Sequence, residues 1–276
     1  MTTGSKQRLD ILLAHKGLAA SRERAKRIIL SGVVRVNGQR VDKPGTLVSP
    51  DSDIIIEEDP IPFVSRGGLK LQKALDIFRP PVKNRVYIDV GASTGGFTDC
   101  LLKYGAKKVY SIDVGYGQLA WKLRQDHRVV VMERVNIRNV TREDLDEEPQ
   151  GAVIDVSFIS LEVVLPVVKD LLLPDSHIVS LIKPQFEAGR EKVGKNGVIR
   201  SPEIHSEVLS KVLLTCIQLG LTLKGLTFSP IKGPKGNIEF LVHLYKGQGD
   251  VVNPYNNNIE YERLIDDTVK TAHSEL

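Results

Sequence analysis

The sequence predicts a mixed α/β protein: a doubly wound, mainly parallel sheet preceded by a small α+β domain. Three observations predict it. From residue 85 onward, short apolar runs alternate with helical patterns, as expected of parallel strands joined by crossover helices. The last two apolar runs, 222–229 and 237–244, are joined by a turn rich in Gly and Pro with no helix between them, which predicts an antiparallel hairpin at the sheet edge. The first sixty residues follow their own pattern of two short helices and a hairpin, and Pro60 and Pro62 then mark a linker. The expected organisation is a first domain over 1–60, a linker over 61–65 and a second domain over 66–276.

In the first domain, Leu9, Leu12 and Leu13 recur at helical spacing and Gly17 ends that turn. Ser21 suits the N-cap of a second helix over 22–31, with Ala25, Ile28 and Ile29 as its buried stripe and Arg22, Arg24, Lys26 and Arg27 off it. Asn37-Gly38 between residues 33–36 and 39–41 predicts a hairpin closed by a type I′ turn, and a strand over 53–57 follows. Charge is concentrated here. Residues 1–43 hold ten basic side chains and three acids, +7 of a chain whose net charge is only +4. A basic segment on a near-neutral body suits a nucleic-acid contact.

In the second domain, strands are expected at 86–90, 108–113, 129–132, 152–156 and 177–182, with helices at 97–104, 118–125, 161–172 and 203–219 and a terminal helix over 258–272. The first strand-to-helix turn reads Asp89-Val-Gly-Ala-Ser-Thr-Gly-Gly-Phe-Thr. Gly91, Gly95 and Gly96 let backbone approach a ligand, with Ser93, Thr94 and Phe97 beside them. The Gly-x-Gly-x-x-Gly cradle of dinucleotide enzymes is absent. Asp113 ends the second strand, where a carboxylate can accept both ribose hydroxyl protons of a nucleoside cofactor. Asp89 could hold an amino group, and Asn136, after the third strand, could face an adenine. This loop and the edge hairpin favour a Rossmann-like methyltransferase sheet using S-adenosylmethionine over a dehydrogenase.

Three charged residues interrupt apolar runs: Asp155 ends the fourth strand, Lys183 the fifth, and Glu239 sits in the last strand; a fourth, Lys70, lies on a helix before the sheet, after Gly67-Gly68, beside that helix's buried stripe of Leu71, Ala74, Leu75 and Phe78. Such charges are costly unless they face the crevice beyond the strand ends. In this order they resemble the Lys-Asp-Lys-Glu tetrad of FtsJ-like RNA 2′-O-methyltransferases. The amino-terminal segment, through Gly17-Leu-Ala-Ala-Ser-Arg-Glu-Arg-Ala, Gly32-Val-Val-Arg-Val-Asn-Gly and Lys43-Pro-Gly, resembles the S4 RNA-binding domain. The chain as a whole resembles the TlyA (hemolysin A) family of ribosomal RNA methyltransferases. That resemblance implies S-adenosylmethionine as cofactor, ribosomal RNA or ribosomal subunits as partner, and methylation of a cytidine 2′-hydroxyl. It implies Lys183 as general base oriented by Asp155, Lys70 and Glu239 positioning the hydroxyl, and phosphate contacts from Arg8, Arg22, Arg24, Lys26, Arg27 and Arg35.

Alternatives are an RNA-binding ribosome-assembly factor with an inactive methyltransferase body, and a membrane-active haemolysin, suggested by the family's older name alone. Base methylation would call for an Asn/Asp-Pro-Pro-aromatic motif where Asp155-Val-Ser-Phe stands. Cys100 and Cys216 give no metal-ligand spacing, so no metal is expected. No apolar run approaches the ~20 residues of a membrane helix, and a cytoplasmic location is the expectation. Residues 184–200, glycine-rich and basic, are expected to form a mobile lid or RNA-contact loop. The sequence leaves the oligomeric state open.

Overall fold

The computed structural model describes residues 5–30, 32–57, 62–247 and 258–276. The chain divides into two compact units, residues 1–62 and 63–276. Pro60 and residue 61 of the expected linker lie outside the described residues.

The first unit packs α1 (Leu9–His15) against α2 (Arg22–Leu30). Leu9, Leu12, Leu13, Ala25, Ile28 and Ile29 form its core, with Val34, Val36 and Val48 closing it from the strands. Strands β2 (Val34–Val36) and β3 (Gln39–Arg40) make the hairpin, and β5 (Ile54–Ile56) pairs with β2 on its other side. Asn37 and Gly38 at the tip both have positive φ, +49° and +79°, as a type I′ turn requires. A second pair, β1 (Gln7–Arg8) with β4 (Leu47–Val48), was not expected. Two-residue strands are too short to carry a period-2 signal.

The second unit is a seven-stranded sheet flanked by helices. Its strands are β6 (Val86–Val90), β7 (Lys108–Asp113), β8 (Val129–Glu133), β9 (Gly151–Ile154), β10 (Ser176–Ile182), β11 (Thr222–Phe228) and β12 (Phe240–Lys246). They lie in the order β11-β12-β10-β9-β6-β7-β8. Only β12 runs against its neighbours, paired antiparallel with both β10 and β11. The helices are α3 (Gly67–Phe78), α4 (Gly96–Lys103), α5 (Trp121–Arg124), α6 (Leu161–Leu171), α7 (Pro184–Glu187), α8 (Pro202–Gln218) and α9 (Asn258–Glu275). β6 pairs in parallel with both β7 and β9, so the chain order reverses beside β6 and a crevice opens beyond its carboxyl end.

Three elements differ from expectation. The helix at 118–125 shrinks to one turn, because Gly115, Gly117 and the bonds around Asp113 hold the preceding stretch as a loop. The last strand begins at Phe240, three residues late. Asn237 is turned away to accept from Ile199 N–H and donate to the Gly197 carbonyl, and its own carbonyl closes a turn with Gly233. Glu239 therefore immediately precedes the strand instead of sitting within it. Residues 184–200 contain α7 and two short 3₁₀ turns at 190–192 and 195–197, where a single long loop was expected.

Candidate active site

The loop after β6 is shaped by backbone that most side chains forbid. Gly91 and Gly95 have φ of +85° and +91°, and Ser93 stands at +49°. A Cβ on Gly91 would lie 2.5 Å from the Asp155 carbonyl oxygen. Glycine there lets the ends of β6 and β9 approach. Asp113 organises the loop: Ser93 N–H donates to one carboxylate oxygen and Gly115 N–H to the other, both at 2.7 Å.

Asp89 is fully buried within β6. Its Oδ2 accepts from Thr98 Oγ1 at 2.6 Å, and its Oδ1 is buried with no partner. Burial pushes this carboxyl up to about 7; the Thr98 hydrogen bond opposes that, and the charges of Asp155 and Asp113 add to it.

A cavity of about 640 Å³ opens beyond these strand ends. All four charged residues singled out in the sequence line it, though they are distant along the chain. They meet as two ion pairs. Lys70 Nζ lies 2.5 Å from Glu239 Oε2, with both side chains almost wholly buried. Lys183 Nζ lies 2.5 Å from Asp155 Oδ1 in a more open position. The second contact is one of charge: Asp155 Oδ1 makes no aligned hydrogen bond, and Lys183 instead donates to Ser157 Oγ at 3.0 Å. Replacing a buried ion pair by apolar residues is often neutral or stabilising, so the buried Lys70–Glu239 pair, with a second pair in the same cavity, points to chemistry more than to folding.

Gly91, Ser93, Thr94 and Phe97 also line the cavity; Asp89, Gly95, Asp113 and Asn136 do not. Asn136 instead caps a 3₁₀ turn, its side-chain oxygen accepting from Arg138 N–H at 3.1 Å. An Asn two residues before such a donor is a local turn signal.

A profile of the FtsJ-like methyltransferase family matches residues 63–246, and one of the S4 domain matches residues 7–54. An rRNA methyltransferase of Bacillus subtilis known as YqxC, its activity assigned as a candidate, is 54% identical over 90% of this chain and 89% of its own. The chain belongs to the TlyA (hemolysin A) family of FtsJ-like methyltransferases. The 16S/23S rRNA (cytidine-2′-O)-methyltransferase TlyA of Mycobacterium tuberculosis is 43% identical, over 86% of this chain and 89% of its own. A solved structure, described as a candidate hemolysin of Streptococcus thermophilus, is 45% identical and superposes with a TM-score of 0.75, covering 98% of this chain and 97% of that one.

This methyltransferase cavity has features that the sequence did not announce. Phe158, 90% exposed and held at φ +65°, stands at its edge with Phe186 4.8 Å away between ring centroids. A bulky residue at positive φ is a true outlier, and an exposed aromatic pair beside charged groups offers a flat apolar face. Gln185 also lines the cavity, with a buried and unpartnered side-chain oxygen. An aromatic just after Asp155 was a visible cue. Single Ser and Gln residues carry none. Glu187, one residue beyond Phe186, accepts from Ser160 Oγ and Leu161 N–H at 2.6 and 2.9 Å, and burial raises its carboxyl. Among the described residues, no group of three or more His, Cys, Asp or Glu is arranged to hold a metal, and no helix is long and apolar enough to cross a membrane.

The six basic residues expected to meet RNA divide by their partners. Arg8 and Arg22 both reach Asp10, which has no exposed surface, at 3.0 and 2.9 Å. Each thus does structural duty that the sequence reading did not give it. Lys26 pairs with exposed Glu23, and Arg35 with exposed Glu57. Arg27 donates to the Glu23 carbonyl at 3.5 Å, and Arg24 N–H to Ser21 Oγ at 3.2 Å.

Proposed function

We propose that this protein transfers a methyl group from S-adenosylmethionine to the 2′-hydroxyl of a cytidine in ribosomal RNA. The observation that carries the proposal is the meeting of two lysine–carboxylate pairs around one cavity beside the β6 loop. The name of the M. tuberculosis relative supports the cytidine and the RNA, and the S4 match supports an RNA partner. Such a substrate would place the protein with ribosomes in the cytoplasm.

The residues fit the cofactor. Asp89 and Asp113 lie outside the cavity lining but flank the β6 loop that forms it; the orphaned Asp89 Oδ1 suits an ammonium group held directly or through water, Asp113 suits ribose hydroxyls, and the backbone at Gly91 leaves room for close approach. When bound, the cofactor supplies an electrophilic methyl group. The chain's own residues then have to prepare the nucleophile. A ribose hydroxyl is weakly nucleophilic at neutral pH, and Lys183, once its own ammonium proton has passed to solvent, takes the hydroxyl proton as the new bond forms. Asp155 holds the resulting ammonium. The Lys70–Glu239 pair presents a fixed donor and acceptor that orient the hydroxyl, so that part of the acceleration comes from alignment. The Phe158–Phe186 face is suited to stacking a base drawn out of its helix.

The test is methyl transfer to isolated ribosomal subunits followed by nucleoside analysis. Wild type should yield 2′-O-methylcytidine. Lys183→Ala should lose about 10²–10⁴-fold in rate, the usual worth of a general base, with cofactor affinity unchanged. A methylated base in the product, or full activity in the variant, would defeat the reading.

A further inference from the structure

We infer that Ser157 is the residue that aims Lys183. The inference rests on the reading of Lys183 as the base. Two groups touch its amine. Asp155 Oδ1 attracts it from 2.5 Å but makes no aligned hydrogen bond. Ser157 Oγ accepts one from it at 3.0 Å. Among the described residues, Lys183 Nζ makes no other hydrogen bond.

The two contacts differ in kind. Coulomb attraction is almost indifferent to rotation about the terminal C–N bond, whereas a hydrogen bond falls off steeply with angle. Charge therefore keeps the amine near Asp155, and Ser157 fixes its orientation. Once Lys183 has given its ammonium proton to solvent it retains two N–H bonds and one lone pair. With one N–H committed to Ser157 and the other drawn toward Asp155, the lone pair is left for a third direction. Both Ser157 and Lys183 line the cavity, so that direction is available to a substrate hydroxyl. On transfer, the hydroxyl proton moves to this lone pair, the amine becomes an ammonium, and its new N–H lies along the line to the substrate oxygen.

The local backbone is built for this. Phe158 adopts φ +65° directly after Ser157, which turns the chain so that two consecutive side chains, Ser157 and Phe158, both reach the cavity. In an extended strand they would point to opposite faces. A small residue with an acceptor oxygen is needed at 157, since Ser157 is itself exposed and packs no core.

Ser157 is thus a positioning residue, and its loss should slow the chemical step without weakening binding. Ser157→Ala should lower kcat about tenfold, the worth of one neutral hydrogen bond, with KM for the ribosomal subunit and Kd for S-adenosylmethionine unchanged. Ser157→Thr, which keeps the hydroxyl, should restore most of the rate. Unchanged kcat in Ser157→Ala would overturn the inference. So would a raised KM at constant kcat, which would make Ser157 an RNA contact, or a Thr variant as slow as the Ala variant. Lys183→Ala assayed alongside separates the two ideas. If it retains wild-type kcat, the base assignment has failed; if it is inactive while Ser157→Ala is not slowed, only the role of Ser157 has.

Discussion

Asp89 shows how one side chain can couple cofactor binding to pH. Its carboxyl is raised by burial to about 7, so the folded chain keeps a proton that an unfolded chain sheds near 3.8. The sign follows from linkage: between those values the folded state binds more protons, and the stability of the cofactor-free protein falls as pH rises through the window and levels off above it. An ammonium group set against the orphaned Oδ1 requires the ionised form. Affinity for S-adenosylmethionine should therefore rise with pH up to about 7, by as much as tenfold per unit, and then flatten. Calorimetric titrations from pH 5.5 to 8.5 measure this directly, with proton release on binding below pH 7. Asp89→Asn should bind weakly at every pH, with no slope. A flat wild-type profile would remove Asp89 from the cofactor site.

At the scale of elements, Asp10 ties the start of α1 to α2. It lies in the first turn of α1 with no exposed surface, and it accepts from Arg8 and Arg22. The Arg8 hydrogen bonds hold its carboxyl down to about 2, with Arg22 adding to them against the cost of burial. A lowered carboxyl stabilises the fold above its ordinary range, and that contribution is lost as pH falls toward 2. Asp10→Asn should destabilise the first unit by about 1–3 kcal/mol, since the two arginines lose a shared charged acceptor. Denaturant unfolding followed by a probe within residues 5–57 checks it; an unchanged midpoint would show that the cluster contributes nothing.

The same cluster marks how far elements could be read in advance. The alternation of strands and helices, the I′ turn and the edge hairpin were legible, because each leaves a periodic or turn-residue signature. So were Asp155 and Lys183, because a charge after a long apolar run is conspicuous; Lys70 and Glu239 were legible only beside them, through the order of the four. The β1–β4 pair and the late start of β12 were not, since each depends on bonds to residues distant in sequence. Asp10 reads as an ordinary first-turn acid. Nothing in its neighbours shows that it will be covered and will claim two of the six arginines and lysines offered as RNA contacts.

For the whole molecule, charge is segregated along the first unit: residues 1–43 carry +7 and residues 44–62 carry −5, so that unit as a whole has a net charge of only +2. Attraction to RNA should therefore reside in the basic segment over residues 1–43 and fall steeply with salt. The ion pairs determine which side chains supply it. Freeing Arg8 or Arg22 would leave Asp10 buried and short of a partner, which is costly. Lys26 and Arg35 are bound to exposed Glu23 and Glu57, and pairs of that kind are worth only about 0–1 kcal/mol. A phosphate can displace those carboxylates at little cost. The double variant Lys26→Ala, Arg35→Ala should thus fold with unchanged stability and flatten the plot of log K against log salt by roughly 1.5, at about 0.7–0.9 per lost phosphate contact. Arg22→Ala should lower thermal stability instead. Filter binding to ribosomal RNA at several salt concentrations, with melting curves on the same samples, separates the two behaviours. If the double variant keeps the wild-type slope, Lys26 and Arg35 do not meet phosphate, and the salt-dependent contacts must come from other basic residues.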